Sequence, residues 1–296
     1  MAGVQGYRLF NVKLARKSEI SPSLLSLVFS GPEVAQMKSD SPDQRIKVLF
    51  PSEDGTPPSL SAQGQWYQVI QGMEKTKRPI VRTYTLRHVD PARQEMTIEF
   101  VSHGLEGPAS AWAINSRPGE SIQIVAPNAA HQEDSGGYEW MPPAGLRNAL
   151  IIADETALPA AKGILEQLSV QANPPRVQAF FEVPEEADCV DLSAFHFAEI
   201  TWLQRNKTGA SHGECLLQAV KSFVHEPDNR QHDTVQEEGE GEILWDKAST
   251  QCTDFYGWVA AESTVVKLLR RYLVGERGLA HDAINFMAYW AKGRIR

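Results

Sequence analysis

Two runs of the sequence, residues 82–87 and 103–110, carry side chains suited to holding an anionic ligand. The guanidinium of Arg82 can bind a phosphate through two parallel hydrogen bonds, and the ring of Tyr84 offers a face for stacking. Alternate residues of a strand share a face, so Arg82 and Tyr84 can contact one ligand together. Thr85 would act through its backbone or from a bulge.

The second run predicts a glycine-rich turn followed by a short helix. Gly104 and Gly107 let the backbone pass close to a pyrophosphate. Pro108 suits the first turn of a helix, where free N–H groups attract anions. Together the runs indicate a site for a flat, anionic cofactor such as a flavin dinucleotide. The residues predicted to bind it here are Arg82, Thr83, Tyr84, Thr85, Arg87, His103, Gly104, Gly107, Pro108, Ala109 and Ser110.

Short strands must position these runs. Apolar or alternating segments bounded by proline and glycine predict strands at residues 7–14, 24–29, 45–50, 80–88, 96–102 and 121–125. Many short strands separated by turns favour an antiparallel β-barrel, which we assign to a domain of residues 1–143. Residues 127–147 show little periodicity and are interpreted as the linker to the next domain.

The second half alternates between strands and helices. Strands are predicted at residues 148–153, 177–183, 199–203, 256–260 and 283–289, and helices at residues 156–170, 215–224 and 262–273. This order is typical of an α/β domain with a parallel sheet covered by helices on both faces, here residues 144–296. Such sheets bind ligands beyond the carboxyl ends of their strands.

Two polar groups follow strands of this second domain. Asp154, Glu155 and Thr156 come directly after its first strand, where a nucleotide is expected, although Asp154 or Thr156 would also serve as a helix N-cap. No GxGxxG fingerprint is present. The small residues Ala260 and Ala261 end a later strand and would leave room for a nicotinamide ring.

Composition narrows the functional classes. The net charge is −8, and residues 226–242 hold seven acidic side chains against one arginine, which indicates a mobile acidic loop at 226–250 and no nucleic-acid partner. Three separated cysteines show neither a disulfide framework nor iron–sulfur spacing. No apolar run reaches the roughly 18 residues of a membrane span, and no signal peptide is evident, so a cytoplasmic protein is expected. No metal site is predicted.

Five motifs in order give the chain a resemblance to a known family. They lie at residues 82–85 (RTYT), 103–112 (HGLEGPASAW), 154–159 (DETALP), 257–262 (GWVAAE) and 289–293 (YWAKG). The chain resembles the siderophore-interacting proteins, which are FAD-dependent ferric-siderophore reductases related to the ferredoxin–NADP reductase superfamily. The resemblance implies FAD as cofactor, NAD(P)H as electron donor and a ferric siderophore as substrate.

The resemblance also implies roles for individual residues. Further FAD contacts are expected from Asp154, Thr156, Ala157, Tyr289 and Trp290. Contacts with the nicotinamide nucleotide are expected from Glu155, Arg205, Ala260, Ala261 and Glu262. Contacts with the substrate are expected from Arg45, Lys47, Lys292 and Arg294. Two positions depart from the family pattern, since Ala261 stands where glycine is commoner and Asn128 stands where a base can occur.

We hypothesise that electrons pass from NAD(P)H through FAD to Fe(III), which releases Fe(II) for intracellular use. Arg205 favours NADPH, because a base there can meet its 2′-phosphate, whereas Glu182, Glu185 and Glu186 favour NADH. Two alternatives remain open. One is a general NAD(P)H-dependent reductase of ferredoxin, flavodoxin or free flavin, and the other is a non-catalytic protein that binds siderophores or serves iron storage. That all the motifs are mere core packing is a third interpretation.

Overall fold

The computed structural model describes residues 4–61, 65–225 and 243–293. Contacts divide the chain into two units, the first ending at Tyr138 and the second beginning at Glu139. The sequence predicts this boundary at residues 143/144. Among the described residues, none of the helices combines the length and the apolar character needed to cross a membrane.

The first unit is built on one antiparallel sheet of seven strands, ordered β4-β3-β7-β1-β2-β6-β5. Its strands are β1 (Tyr7–Ser21), β2 (Leu24–Ser30), β3 (Arg45–Phe50), β4 (Ile80–Thr85), β5 (His88–Asp90), β6 (Glu95–Val101) and β7 (Ser121–Pro127). Its helices are α1 (Trp66–Gly72) and α2 (Pro108–Asn115), with short 3-10 turns at Pro32–Gln36 and Lys75–Lys77.

The sheet curls so that its two ends approach each other. The ring of Tyr84 in the edge strand β4 lies 4.4 Å from the ring of Phe100 in β6, measured between centroids. Buried side chains from most strands fill the space enclosed, among them Phe10, Phe29 and Phe50. The predicted antiparallel β-barrel is therefore confirmed, in the form of a half-barrel.

Helix α1 covers part of the outer face of this sheet and was not predicted. Trp66 and Ile70, one helical turn apart, pack against Leu9, Leu49 and Val125. Apolar residues on the outside of β1, β3 and β7 are explained by this second, smaller core.

The second unit has a six-stranded sheet, ordered β10-β9-β8-β12-β13-β11. Its strands are β8 (Asn148–Asp154), β9 (Arg176–Val183), β10 (Ala198–Gln204), β11 (Trp245–Asp246), β12 (Tyr256–Glu262) and β13 (Ile284–Trp290). Its helices are α3 (Leu158–Ser169), α4 (Arg205–Thr208), α5 (Glu214–Phe223) and α6 (Ser263–Arg270), which continues as a π-helical segment, Arg271–Glu276. Short 3-10 turns occur at Glu186–Asp188 and His281–Ala283.

Five of these strands are parallel, and only the two-residue β11 runs antiparallel to its neighbour. One face of the sheet packs against α3 through residues such as Ile151 and Trp258, and the other packs against α5 and α6 through Ile152 and Val259. The strands read as continuous apolar runs because both faces are buried. The predicted α/β domain is confirmed. Residues 226–242 of the predicted acidic loop lie outside the described residues.

Candidate functional site

The pairing of β3 with β4 decides which side chains of the first run share a face. Arg82 lies opposite Val48, whereas Thr83 lies opposite Lys47. Arg82 and Tyr84 therefore lie on the core side of β4, as alternation predicts, and Thr83 and Lys47 lie on the other side. The ammonium of Lys47 donates a hydrogen bond to Thr83 Oγ1 at 2.5 Å. The predicted substrate residue Lys47 thus lies beside Thr83, on the opposite face from Arg82.

Arg82 is half-buried and lacks an acidic partner among the residues that the structure describes. Its Nη1 donates to the backbone oxygen of Val81 at 2.8 Å. Burial lowers the pKa of Arg82, and only the nearby Tyr84 opposes this shift. A partly desolvated cation gains most from an anion that can accept its remaining hydrogen bonds. Arg82 therefore meets the chemical requirement for a phosphate ligand.

Tyr84 belongs to an aromatic cluster. Its ring is tilted against Phe100 and lies edge-on to Phe50 at 6.3 Å, and Phe50 in turn contacts Trp112. Burial raises the pKa of Tyr84, so the hydroxyl stays protonated at physiological pH. The cluster fixes the ring within the half-barrel, and its predicted stacking on a flavin stays a prediction.

The last two residues predicted in this run are buried. Thr85 lies opposite Arg45 at the end of β4. Arg87 Nε lies 3.2 Å from Glu99 Oε1, and the two side chains are only 5% and 7% exposed. A cofactor contact of Arg87 would have to compete with this ion pair.

The glycine turn is exposed and has the backbone shape that its sequence predicts. Gly104 and Gly107 have φ angles of 81° and 89°, a conformation that other residues adopt at a cost. Ser110 Oγ donates to the carbonyl of Gly104 at 2.7 Å and accepts from the N–H of His103 at 3.3 Å. Helix α2 begins at Pro108. Ser110 thus holds the turn closed from within, while residues 103–108 remain exposed to a ligand.

In the second unit, the carboxyl ends of the parallel strands bring most of the predicted residues together. Asp154 ends β8, Glu262 ends β12 and Trp290 ends β13. Glu155 and Thr156 follow β8, and Arg205 follows β10. Glu182, near the end of β9, lies at the same edge, and the structure adds His212, in the loop before α5, which the sequence did not place there.

Arg205 is held by acidic residues of its own unit. Its Nη1 donates to Glu155 Oε2 at 2.9 Å, and its Nη2 donates to Glu155 Oε1. Glu182 Oε1 lies 3.5 Å from the same guanidinium, and all three side chains are less than 10% exposed. Burial alone would lower the pKa of Arg205, but the hydrogen bonds and charges of Glu155 and Glu182 raise it. A 2′-phosphate could reach Arg205 only by displacing this network.

The carboxylates of Glu182 and Glu262 accept hydrogen bonds from backbone N–H groups at the starts of helices. Glu182 accepts from the N–H groups of Gly213 and Leu216 at the start of α5, at 2.7 and 3.0 Å. Burial raises the pKa of Glu182, although both N–H groups oppose the shift. Glu262 accepts in the same way from Thr264 and Val265 at the start of α6. Glu182 is therefore a buried structural group, and the preference for NADH predicted from it stays a prediction.

The two small residues of β12 are fully covered. Ala260 and Ala261 are 0% and 1% exposed. Near them, Trp290 Nε1 donates to Asp154 Oδ2 at 2.7 Å, and Asp154 Oδ1 accepts from the backbone N–H of Thr156 at 2.9 Å. Ala260 belongs to the core that includes α3 and Ala261 to the core that includes α5 and α6, and the room predicted for a nicotinamide at these residues stays a prediction.

The remaining predicted residues are spread over both units. Ala109 is buried in α2, and Ala157 is buried at the start of α3. Tyr289 stacks on Trp245 of β11 at 6.0 Å. Lys292 is exposed, and its backbone N–H donates to Glu262 Oε1 at 3.2 Å. Arg294 lies outside the described residues.

Asn128, where a base can occur in the family, has a structural role. Its Nδ2 donates to the carbonyl of Gln5 at 3.3 Å, and its Oδ1 accepts from the N–H of Ala130 at 3.1 Å. The side chain is buried and shapes the turn after β7. This position therefore supplies no charge to a substrate.

Comparisons with known proteins agree with these two units. A model of the siderophore-interacting FAD-binding domain matches residues 13–131, and a model of the siderophore-interacting protein matches residues 146–293. The ferric vibriobactin reductase ViuB of Vibrio cholerae is 25% identical over 283 residues, which cover 94% of this chain and 88% of ViuB. The NADPH-dependent ferric-chelate reductase of Escherichia coli is 25% identical over 286 residues, with 96% and 93% covered.

A solved structure shows the same two-unit fold. The siderophore utilization protein from T. fusca is 26% identical, with a TM-score of 0.72 over 99% of this chain and 96% of that one. The overall fold of this chain is therefore similar to that of a solved structure.

Proposed function

The chain belongs to the siderophore-interacting protein family, and from this premise we propose that it reduces Fe(III) in ferric siderophores with electrons from NAD(P)H. Its first unit is an FAD-binding domain. The ferric reductase activity named for relatives in Vibrio cholerae and Escherichia coli supports the proposal.

Within this chain, Arg82 is the residue that supports the proposed binding of FAD most directly. It is half-buried, it makes no ion pair with the described residues, and it lies in the first unit along with the exposed turn at Gly104 and Gly107. A guanidinium and free backbone N–H groups are the donors that a pyrophosphate requires. The residues present therefore fit FAD, with Arg82 and the turn as its phosphate ligands.

The proposed reaction is balanced by two substrate molecules. One NAD(P)H gives up two electrons and one proton, and two ferric complexes each take one electron. FAD, when bound, supplies the exchange between a two-electron donor and a one-electron acceptor. Fe(II) binds hard oxygen donors less tightly than Fe(III) does, so reduction favours release of the metal. The protein's residues bind and orient the partners, and no acid–base group is required.

A visible absorption spectrum of the purified protein tests this proposal. We expect a yellow protein whose absorbance is bleached by NADH or NADPH without oxygen and restored by a ferric siderophore. Colourless protein that takes up no added FAD would contradict it. A protein bleached by nicotinamide but more active on ferredoxin or free flavin would support the general reductase instead.

One observation favours a second candidate, a non-catalytic siderophore-binding protein. Ala261 stands where glycine is commoner in the family, and its extra methyl group would narrow the cleft for a nicotinamide. Stopped-flow mixing with NADH and NADPH separates the two functions. Protein that holds FAD but is bleached by neither nucleotide would favour the binding role.

Replacement of Lys47 by alanine is expected to raise the KM for anionic ferric complexes while the rate of flavin reduction stays unchanged. Lys47 is exposed, and it lies on the opposite face of the sheet from Arg82. Its charge can attract an anion at long range, an effect that salt weakens. Steady-state kinetics with an anionic siderophore at two salt concentrations gives the measurement.

Lys75→Ala provides the matched control, because Lys75 is an exposed lysine of the same unit. Its KM should equal that of the unaltered protein. If Lys47→Ala slowed flavin reduction as much as it raised KM, Lys47 would have a different role.

A further inference from the structure

Helix α2 has no charged residue of its own at either end. Its first turn holds no acidic residue, and Gly107, which precedes it, has no side chain that could accept a hydrogen bond. Its last turn holds no basic residue. The N–H groups at the start of a helix carry a partial positive charge, and the carbonyl groups at its end carry a partial negative one. Partners for both ends of α2 must therefore come from elsewhere in the chain or from a ligand.

Lys17 of β1 supplies the partner at the carboxyl end. Its Nζ donates to the carbonyl of Ala113 at 3.3 Å and to the carbonyl of Ile114. Both carbonyls lie in the last turn of α2, where a helix leaves its carbonyl groups without internal donors. A positive charge at this end also interacts favourably with the helix dipole. Lys17 therefore holds the carboxyl end of α2 by hydrogen bonds and by charge.

An irregularity in β1 turns Lys17 toward this helix. The register of β1 against β2 shifts between Leu14 and Arg16. In a regular strand, Leu14 and Lys17 would lie on opposite faces of the sheet. With the shift, Lys17 lies opposite Leu27, whose side chain belongs to the core of the half-barrel, as that of Ala113 does. Bulges of this kind redirect side chains.

The middle and the start of α2 are also fixed. The Trp112 ring stacks on Phe29 at 6.1 Å and lies edge-on to Phe50 at 5.8 Å. At the start of the helix, Ser110 Oγ bonds to the carbonyl of Gly104. A hydrogen-bonded helix of this length, about 12 Å, is stiff enough that a shift at one end moves the other. The position of the glycine turn therefore depends on contacts along the whole of α2.

We propose that Lys17 is a positioning residue for FAD, which holds the carboxyl end of α2 and thereby fixes the turn at Gly104 and Gly107 that receives the pyrophosphate. This inference deepens the proposed function and rests on the binding of FAD at that turn. Lys17 acts through the helix and does not contact FAD. The sequence did not indicate this role, because 96 residues separate Lys17 from Ala113.

Fluorescence titration of FAD into the apoprotein tests the role of Lys17. Lys17→Met keeps the length of the side chain and its apolar stem but removes the charge and the N–H donors. We expect the dissociation constant for FAD to rise about 2- to 5-fold, the effect of one charge at an exposed helix end. Lys17→Arg keeps the charge and donors and should bind FAD as tightly as the unaltered protein.

Arg16→Met is the matched control. Arg16 is the neighbouring base of β1, and its guanidinium donates to Glu95 at 2.7 and 2.9 Å rather than to α2. Its loss should leave the affinity for FAD unchanged. Weakening by Arg16→Met equal to that by Lys17→Met would mean that any positive charge on β1 suffices, and the positioning role would be wrong.

Two fragments of FAD separate positioning from a general loss of stability. ADP carries the pyrophosphate, whereas riboflavin carries the ring system without any phosphate. In Lys17→Met, the dissociation constant of ADP, measured by competition with FAD, should rise about 2- to 5-fold. That of riboflavin should stay unchanged. Equal weakening of both fragments would show that Lys17 only stabilises the unit as a whole.

Hydrogen exchange of the apoprotein gives a result without any ligand. The amides of Ala111 and Ser116, both bonded to carbonyls of the helix or its first turn, should exchange faster in Lys17→Met. The amide of Asn128, bonded to Gly6, should not change. An unaltered protein that takes up no FAD would contradict the proposed function itself. An unaltered protein that binds FAD no more tightly than Lys17→Met would contradict only the role of Lys17.

Discussion

Replacement of Arg82 by alanine is expected to weaken FAD binding about 10- to 100-fold, the loss that corresponds to one charged hydrogen-bonding group. Within the described parts of the chain, the half-buried guanidinium donates to one backbone acceptor, Val81, so its other N–H groups are available to a pyrophosphate. Fluorescence titration of FAD into the apoprotein measures the dissociation constant. The affinity of Arg82→Lys for FAD should lie between those of the unaltered protein and Arg82→Ala, because lysine keeps the charge but lacks the planar guanidinium that can form two parallel hydrogen bonds.

Arg93→Ala serves as the control for Arg82→Ala. Arg93 belongs to the same unit but is 70% exposed and lies 3.7 Å from Glu95. Its loss should leave FAD binding unchanged. Equal affinities for Arg82→Ala and the unaltered protein would remove Arg82 from the site, and with it the observation on which the proposed function depends most.

Replacement of Arg205 by alanine is expected to destabilise the second unit by about 3–5 kcal/mol, because it leaves Glu155 and Glu182 buried without their counter-charge. Urea unfolding, followed by tryptophan fluorescence, measures the free energy. The double variant Glu155→Leu/Arg205→Met should recover part of the loss, since its apolar pair needs no counter-charge whereas Glu182 keeps only the N–H donors of Gly213 and Leu216.

Lys207→Ala is the control for Arg205→Ala. Lys207 is an exposed base on the same short helix, α4, and its removal should change the free energy of unfolding by no more than about 0.5 kcal/mol. A contrary result would be an Arg205→Ala protein with an unchanged free energy of unfolding that binds NADPH less tightly than NADH. Arg205 would then be a 2′-phosphate ligand, as the sequence predicts, rather than a residue whose main role is its buried ion pair.

The fold was largely predictable because its periodicities are strong. Alternating strands separated by Pro and Gly indicated the half-barrel, and continuous apolar runs such as Ile151–Ala153 indicated strands buried on both faces. Helix α1 was missed because its packing residues, Trp66 and Ile70, are only two in a short segment. Strand β11 was missed because a strand of two residues is too short to show an alternation of apolar and polar side chains.

The residue types of the candidate site were predictable from the sequence, but the partners of their side chains were not. The turn at Gly104 and Gly107 followed from its glycines, because positive φ angles favour them. Arg87 and Arg205 looked like ligands of an anion, yet both lie in buried ion pairs with Glu99 and Glu155. A sequence shows that an arginine is present, but its carboxylate partner depends on which strands are neighbours.

The carboxylates of Glu182 and Glu262 at the starts of α5 and α6 have a consequence for turnover. Helix starts with free N–H groups commonly retain the diphosphate of a dinucleotide, but here protein acids already accept from them. We expect the donor to be held loosely and its oxidised form to depart fast. Release of the oxidised nucleotide would then seldom limit the rate of turnover. That rate would instead depend on the ratio of reduced to oxidised nicotinamide nucleotide around the protein.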